Sequence, residues 1–310
     1  MAAIAIIGEL NLDLIVTGAP GLPEPGVEKI VQGMQLTLGS SSAITAAQFA
    51  RLGDDVLFLS KVGGDDFGKR CLAFLEELGV ATEGVLVDPA LPTGLTISIA
   101  LDGERAQLTQ LGCIEELRWA DLDLSCLRGP RHLHISSFFL QRGLRPDVGR
   151  IFSRARELGL TTSFDTGWPH QRENNGDLAQ VWPHLDVLLP NQAEAQLITG
   201  CDSVEKALAV LGERVPTVAV KLGQQGAIAR RQGETVHRPA FAIEVVDTTG
   251  AGDSFNAGFL HGYVAGWPLA SCLDLGNACG ALSTRAPGGT TSQATLDEAI
   301  AFIRAAPRRW

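Results

Sequence analysis

The feature that most constrains this chain is an alternation of two kinds of apolar pattern. Short, almost uninterrupted apolar runs occur at Val56–Leu59, Val187–Leu189 and Thr217–Val220, and Leu160–Phe164 is read with them although its centre is Thr-Thr-Ser. Among them lie stripes with helical spacing: Cys71, Phe74, Leu75 and Leu78; Val148, Ile151, Phe152 and Ala155; Val204, Ala207, Leu208 and Leu211; Leu296, Ala299, Ile300 and Ile303. Gly79 and Gly159 stand where the first two helices must stop, and Thr295 with Glu298 has capping-box spacing at the start of the last. A strand that is apolar on both faces needs cover on both faces, which crossover helices supply in a parallel sheet. The pattern therefore predicts a doubly wound, three-layer α/β/α sandwich.

Two segments break the alternation. Residues 12–36 are rich in Gly and Pro and then alternate polar with apolar; residues 93–111 alternate around Asp102-Gly103, a hairpin dipeptide. Both read as antiparallel, half-solvated strands without helices. They are expected to form one small β-sheet lid over a main domain made of residues 1–11, 37–92 and 112–310. The region from Leu269 onward reads as largely helical, interrupted by the Gly- and Thr-rich loop Ala286–Ser292.

Size and charge narrow the function. At 310 residues the chain buries enough surface to fold without disulfides or a structural metal. Its 25 Lys and Arg against 35 Asp and Glu leave a net charge of −10 with no basic tract, so nothing points to nucleic acid. The six cysteines are dispersed without a C-x-x-C pair, which suits reduced, buried thiols in a cytoplasmic protein. The apolar run Ala2–Ile7 lacks a basic flank and ends at Gly8-Glu9, unlike a signal peptide, and no run reaches membrane-spanning length. The expectation is a protein of the cytoplasm with no membrane partner.

Chemistry concentrates in Val245-Val246-Asp247-Thr248-Thr249-Gly250-Ala251-Gly252-Asp253-Ser254-Phe255. A short strand runs into a turn of small residues and then into an apolar helix. The backbone N–H groups of Gly250, Ala251 and Gly252 can face outward there, at the positive end of a helix dipole, which makes an anion site suited to phosphate. Asp253 stands where it can take a proton from an attacking hydroxyl. The same dipole is expected to hold its pKa low, making it a weak base.

Asp247–Asp253 resembles the D-T-x-G-A-G-D signature of the ribokinase-like (PfkB) carbohydrate kinases. Further landmarks follow in the family's order. Gly8–Asp13 is similar to its opening strand and sugar-binding aspartate, and Gly39–Gly53 to its glycine-rich first signature. Lys61–Gly68 resembles a familiar turn, Asn191–Glu194 the N-x-x-E motif, and Val220–Gly226 the nucleotide-side strand and turn. The resemblance implies a ribokinase-like fold and ATP- and Mg²⁺-dependent phosphorylation of a small sugar or polyol. Asp253 would be the catalytic base, and Gly250, Ala251 and Gly252 the anion hole. Asn11, Asp13, Gly39 and Ile44 would line the acceptor site. Asn191, Lys221, Gly223, Gly226 and Asn277 would lie on the nucleotide side. Glu194 would hold Mg²⁺ through water, while Asp247 and Thr249 would belong to a monovalent-cation (K⁺) loop. The lid would exclude water and, as in several relatives, mediate a homodimer.

The first signature departs from its usual G-G-x-x-x-N: the second Gly is Ser40, and Ile44 stands at the usual Asn. Ile44 offers only apolar contact, which leaves the acceptor open. A nucleoside kinase, with Ser136–Leu140 lining a base pocket, and a non-catalytic sugar or nucleotide sensor stay as alternatives. Other patterns carry less. Gly63–Lys69 fits G-x-x-x-x-G-K, but Arg70 replaces the Ser/Thr of a P-loop, and Asp65 or Asp66 reads as a helix cap. No G-x-G-x-x-G follows the first strand. His132 and His134 read as packed histidines, Trp168 as surface packing and Arg105 as a turn residue.

Overall fold

A computed structural model describes residues 4–101, 104–168 and 175–308. In chain order the elements are β1 (Ile4–Ile7), β2 (Asn11–Thr17), β3 (Gly33–Leu38), α1 (Ser41–Arg51), β4 (Val56–Gly63), α2 (Asp66–Glu77), β5 (Val80–Asp88), β6 (Gly94–Leu101), β7 (Glu104–Gln110) and the short α3 (Cys113–Glu116). Then follow β8 (His132–Ile135), α4 (Val148–Glu157), β9 (Thr161–Phe164), β10 (Val187–Leu188), α5 (Gln192–Thr199), α6 (Val204–Gly212) and β11 (Thr217–Lys221). β12 (Ala227–Arg231), β13 (Glu234–Arg238), α7 (Ala251–Val264), α8 (Leu269–Ser283) and α9 (Leu296–Ala305) complete the chain.

The large sheet has the order β13-β12-β11-β10-β9-β8-β1-β4-β5. From β11 to β5 every pairing is parallel, and β12 and β13 add an antiparallel edge. Alternate residues of the same strand enter different cores. Ala5, Ile7, Leu57, Leu59, Leu133 and Ile135 pack on the side of α4 and α6; Ile4, Ile6, Val56 and Phe58 pack on the side of α1, α7 and α8. This is the doubly covered sandwich that the continuous apolar runs require. The helix ends follow the same local chemistry: the Thr295–Glu298 capping box forms at α9, and Asp65 caps α2 by accepting from Gly68 N at 2.8 Å. Gly63–Lys69 is thus a strand end and helix cap, not a phosphate loop.

A separate four-stranded sheet has the order β3-β2-β6-β7. The β2–β3 and β6–β7 pairs are antiparallel, but β2 and β6 run parallel. That corrects the expectation of a wholly antiparallel sheet. β6 arrives after α1, β4, α2 and β5 have intervened, so it is not a hairpin return of β2. The Asp102-Gly103 turn and the Arg105 side chain lie outside the described residues. The faces of this sheet differ in kind. One row reads Thr37, Asp13, Thr96, Thr109, and the next reads Leu36, Leu14, Ile97, Leu108 on the opposite face. All six cysteines are free thiols and four are buried. Among the described residues no helix is long and apolar enough to cross a membrane.

Candidate active site

Two cavities meet at the turn that opens α7. The first, about 560 Å³, is lined by Glu9, Asn11, Asp13, Ile44, Thr96 and Thr109 among others, with Thr249, Gly250 and Asp253 at its inner end. The second, about 300 Å³, has apolar walls from Phe241, Ile243, Val245 and Phe255. Lys221, Gly223, Gly226 and Asn277 also line it, with Thr248, Ala251 and Gly252 closing one end. Residues 248–253 are therefore the shared partition: Gly250 and Asp253 face one cavity, Ala251 and Gly252 the other.

The partition is held rigidly. Asp247 Oδ1 accepts from Thr249 N at 2.9 Å and from Thr249 Oγ1 at 2.7 Å, and its Oδ2 accepts from Gly288 N at 2.9 Å. Asp247 lines neither cavity; it ties the turn to the loop at 286–292. Gly250 sits at φ 71°, and a Cβ there would come within 2.8 Å of both Ile44 Cγ2 and Gly289 Cα. Only glycine meets both demands. Ile44, 3% exposed, packs against Gly250 and Gly289, so the residue at the usual Asn position braces the turn from the first cavity. The N–H groups of the first helical turn lack intrahelical acceptors. That of Ala251, expected in the anion hole, is donated to Thr248 O at 3.2 Å and that of Ser254 to Gly250 O at 2.8 Å, so Gly252 and Asp253, between them, hold the amides left to face a ligand.

Asp253 lies in the first turn of α7 beside Asp165, Lys221 and Glu9. Burial, reinforced by Asp165, pushes its carboxyl up from 3.8 to about 8, although the Lys221 ammonium opposes the rise. The expectation of a low pKa is overturned. Removal from water and two neighbouring carboxylates outweigh the helix dipole, so the group is a stronger base than the dipole alone implies. The small sheet supplies the opposite wall of the first cavity. Asn11 Nδ2 donates to Asp13 Oδ1 at 3.1 Å and to Thr96 Oγ1 at 3.4 Å. Gly39 lies behind this group, where any Cβ would overlap the Asp13 carboxylate. Next to it Ser40 holds φ 72°, a left-handed conformation worth on the order of 1–3 kcal/mol of strain. Its hydroxyl compensates by donating to Glu9 O and accepting from Ala43 N.

Asn191 and Glu194 line neither cavity. Asn191 Oδ1 accepts from Glu194 N at 2.9 Å and Glu194 Oε2 accepts from Asn191 N at 2.8 Å, a reciprocal cap on α5. Burial and the nearby Asp165 raise the Glu194 carboxyl from 4.5 to about 7, so a cation would favour its ionised form. Among the described residues no cluster of three or more His, Cys, Asp or Glu could hold a metal. The donor set suits Mg²⁺ reached through water and held mainly by a ligand's own oxygens, not a protein cage. Asn277 lines the second cavity while its amide donates to Arg238 O at 3.0 Å.

Several residues of the site carry no motif signal. Glu9, 2% exposed, lines the first cavity and accepts from Ser42 N and Ser42 Oγ. Thr96, Thr109 and Gln107 line it from the small sheet, visible in sequence only as polar positions of an alternating strand. Of Ser136–Leu140, Ser137, Phe139 and Leu140 reach the cavity and Phe138 is core. Asp165 and Asn256 converge on Lys221 from β9 and α7. His132 and His134 are buried on β8 and joined through Ser163 Oγ, as packed histidines, and half-exposed Trp168 lines neither cavity.

An α/β sandwich whose glycine-rich turn separates a polar, carboxylate-lined cavity from a mainly apolar one fits a phosphotransferase acting on a hydroxyl. The pfkB family carbohydrate kinase model matches residues 1–296, and the chain belongs to that family. It is 33% identical over 306 residues to the ATP-dependent ribose-1-phosphate kinase of Halopiger xanaduensis, covering 98% of each chain. It is 30% identical to fructokinase-1 of Zea mays over 86% of this chain and 88% of that one. Among solved structures, an E. coli protein described as a putative ribokinase II in complex with ATP and Mg²⁺ superposes with a TM-score of 0.86. That protein is 27% identical, with 98% of this chain and 99% of that one covered.

Proposed function

We propose that this chain transfers the γ-phosphate of ATP to a hydroxyl of a small carbohydrate or polyol. The observation that carries this reading is the partition at 248–253, which gives one face to each cavity. The acceptor would lie in the 560 Å³ cavity, where Asn11, Asp13, Thr96 and Thr109 offer a hydrogen-bonding wall suited to several hydroxyls. The nucleotide would lie in the 300 Å³ cavity, its base against Phe241, Ile243 and Val245 over Gly223 and Gly226, with Asn277 alongside. The γ-phosphate would then reach the amides of the first turn of α7.

Asp253 takes the hydroxyl proton as the acceptor oxygen bonds to phosphorus; the bond from phosphorus to the β-phosphate bridging oxygen breaks, and ADP leaves. The transition state is loose, so fixed amides and alignment supply most of the catalysis. Asn191 and Glu194 would hold Mg²⁺ through water, and that ion neutralises phosphate charge when bound. Asp247 and Thr249, which already organise the loop against Gly288, are the residues that would border a K⁺ ion. The small sheet acts as the lid over the acceptor, with its polar face inward. Its opposite face carries Met34, 65% exposed, and Leu108, 69% exposed, and two lids packed through these faces would make a homodimer. The net charge of −10 and dispersed free thiols fit a cytoplasmic setting without nucleic acid or membrane.

The test is ADP release from ATP and Mg²⁺ with ribose, ribose 1-phosphate, fructose, ketodeoxygluconate and adenosine. Turnover with a sugar supports the proposal. Turnover with adenosine alone makes the protein a nucleoside kinase, and tight binding without ADP release makes it a sensor.

A further inference from the structure

Lys221 is the one charged side chain among the described residues that line the second cavity. Its position is unusual for a lysine. It ends β11, its side chain is only 13% exposed, and its ammonium makes a 2.5 Å ion pair with Asp165 Oδ2. It also donates to Asn256 Oδ1 at 3.1 Å, while Asn256 Nδ2 donates to the same Asp165 oxygen at 2.6 Å. The three side chains close a triangle between β9, β11 and α7. Burial alone would discharge both ionic partners. The pair reverses this, holding Asp165 below the usual carboxylate range and Lys221 above the usual amine value.

The triangle lies directly behind the partition. A Cβ placed on Gly252 would stand 3.6 Å from Lys221 Nζ, whereas no Asp165 atom is among the nearest neighbours of that point. At Gly252 the couple thus presents its ammonium, while at Asp253 the Asp165 carboxylate acts more strongly. An ammonium has three donors. Two have acceptors in Asp165 and Asn256, which leaves one for whatever lies in the cavity. Glu194 and Asp253 are the other acidic groups that act on this ammonium, and His134 lies within electrostatic reach. A buried pair of this kind is weak evidence for a stabilising role, since apolar substitutes of similar volume often stabilise as well or better.

We propose that Lys221 is a catalytic residue whose ammonium bonds the terminal phosphoryl group of the nucleotide. Asp165 and Asn256 are the positioning residues that aim it. The assignment rests on the kinase reading of the site. Arginine could carry the same charge, but its planar fork would not fit the triangle without displacing Asn256, so Lys221→Arg should restore only part of the function.

The experiment compares Lys221→Met, Lys221→Arg and Asp165→Asn with the unmodified chain. Three readouts are taken: kcat with the best acceptor, and the Kd values of ADP and of β,γ-imido-ATP. Lys221→Met should lower kcat by about 10²–10³, the range for removing one preorganised donor to developing charge. It should weaken β,γ-imido-ATP at least about tenfold while leaving ADP within about threefold, because only the triphosphate reaches the ammonium. Lys221→Arg should recover about a tenth or more of the lost kcat. Asp165→Asn should reproduce the kcat loss more mildly, again without affecting ADP. Equal losses for ADP and the triphosphate analogue would reduce Lys221 to a structural role, and an unchanged kcat in Lys221→Met would overturn the proposal. If Lys221→Met does not fold, the ADP-versus-triphosphate comparison in Asp165→Asn decides in its place. If the unmodified chain releases no ADP with any acceptor, the kinase reading fails. The triphosphate-over-ADP discrimination in Lys221→Met still decides the phosphate contact on its own.

Discussion

Replacing Asp253 by Asn removes one ionisable group and almost no volume, so its consequences separate chemistry from packing. Two effects should move in opposite directions. Catalysis should fall by about 10²–10⁴ in kcat, the span for loss of a general base, with ADP affinity unchanged. Stability should rise with pH relative to the unmodified chain. The carboxyl stands at about 8 in the fold against 3.8 when exposed. The folded state therefore favours the protonated form. The stability of that form is fully present below pH 4 and is lost as pH climbs through 8. The gap between 3.8 and about 8 sets an upper limit of about 6 kcal/mol. At roughly 2 °C per kcal/mol for a chain of this length, Asp253→Asn should melt higher at pH 9 by up to ~12 °C and within ~1 °C at pH 4. Scanning fluorimetry across that range, with steady-state kinetics alongside, reads both. In the unmodified chain kcat/KM should climb through an acidic limb near pH 8. A melting difference that does not change with pH would refute the burial argument, and an unchanged kcat would refute the base.

Other consequences follow from the same geometry. Gly250→Ala forces a Cβ to within 2.8 Å of Ile44 and Gly289 at φ 71°; it should cost about 1–3 kcal/mol in thermal unfolding and abolish turnover together. Asp13→Ala should raise the acceptor KM by about 10–100-fold and leave the ATP KM unchanged, because a hydrogen bond to a charged group is lost on one side of the partition only. A change in both KM values would show that the cavities are not separate. Asp247→Ala breaks the bonds to Thr249 and Gly288, and its kcat should fall more than either KM rises. Charges at Met34 and Leu108 (M34D with L108D) should leave a monomer by sedimentation; a monomer without those changes would remove the lid-to-lid dimer.

How much of this was legible in the sequence depends on the range of the interaction. The sandwich could be read from Val56–Leu59 or Thr217–Val220, because burial on both faces leaves these runs almost wholly apolar. The edge strand β5 is half-exposed, and its mixed composition hides it. The β12–β13 hairpin turns through Gln232 and Gly233 at φ 51° and 86°, a weaker signal than Asn-Gly or Asp-Gly. The turn Asp247–Asp253 was readable because its function needs small residues in fixed order. Asp165 and Asn256 were not, since they meet Lys221 across 56 and 35 residues of chain. The low pKa expected of Asp253 fails for the same reason. The helix dipole is local and visible in sequence, whereas Asp165 and Glu9 arrive from the segments that follow β9 and β1.

The direct measurement is a crystal structure of the protein with an acceptor sugar and β,γ-imido-ATP. The account predicts the terminal phosphorus at the amides of Gly252 and Asp253, with the acceptor oxygen on the Asp253 side and the base against Phe241. A terminal phosphate lodged away from the 248–253 turn, or both ligands on one side of it, would contradict the account.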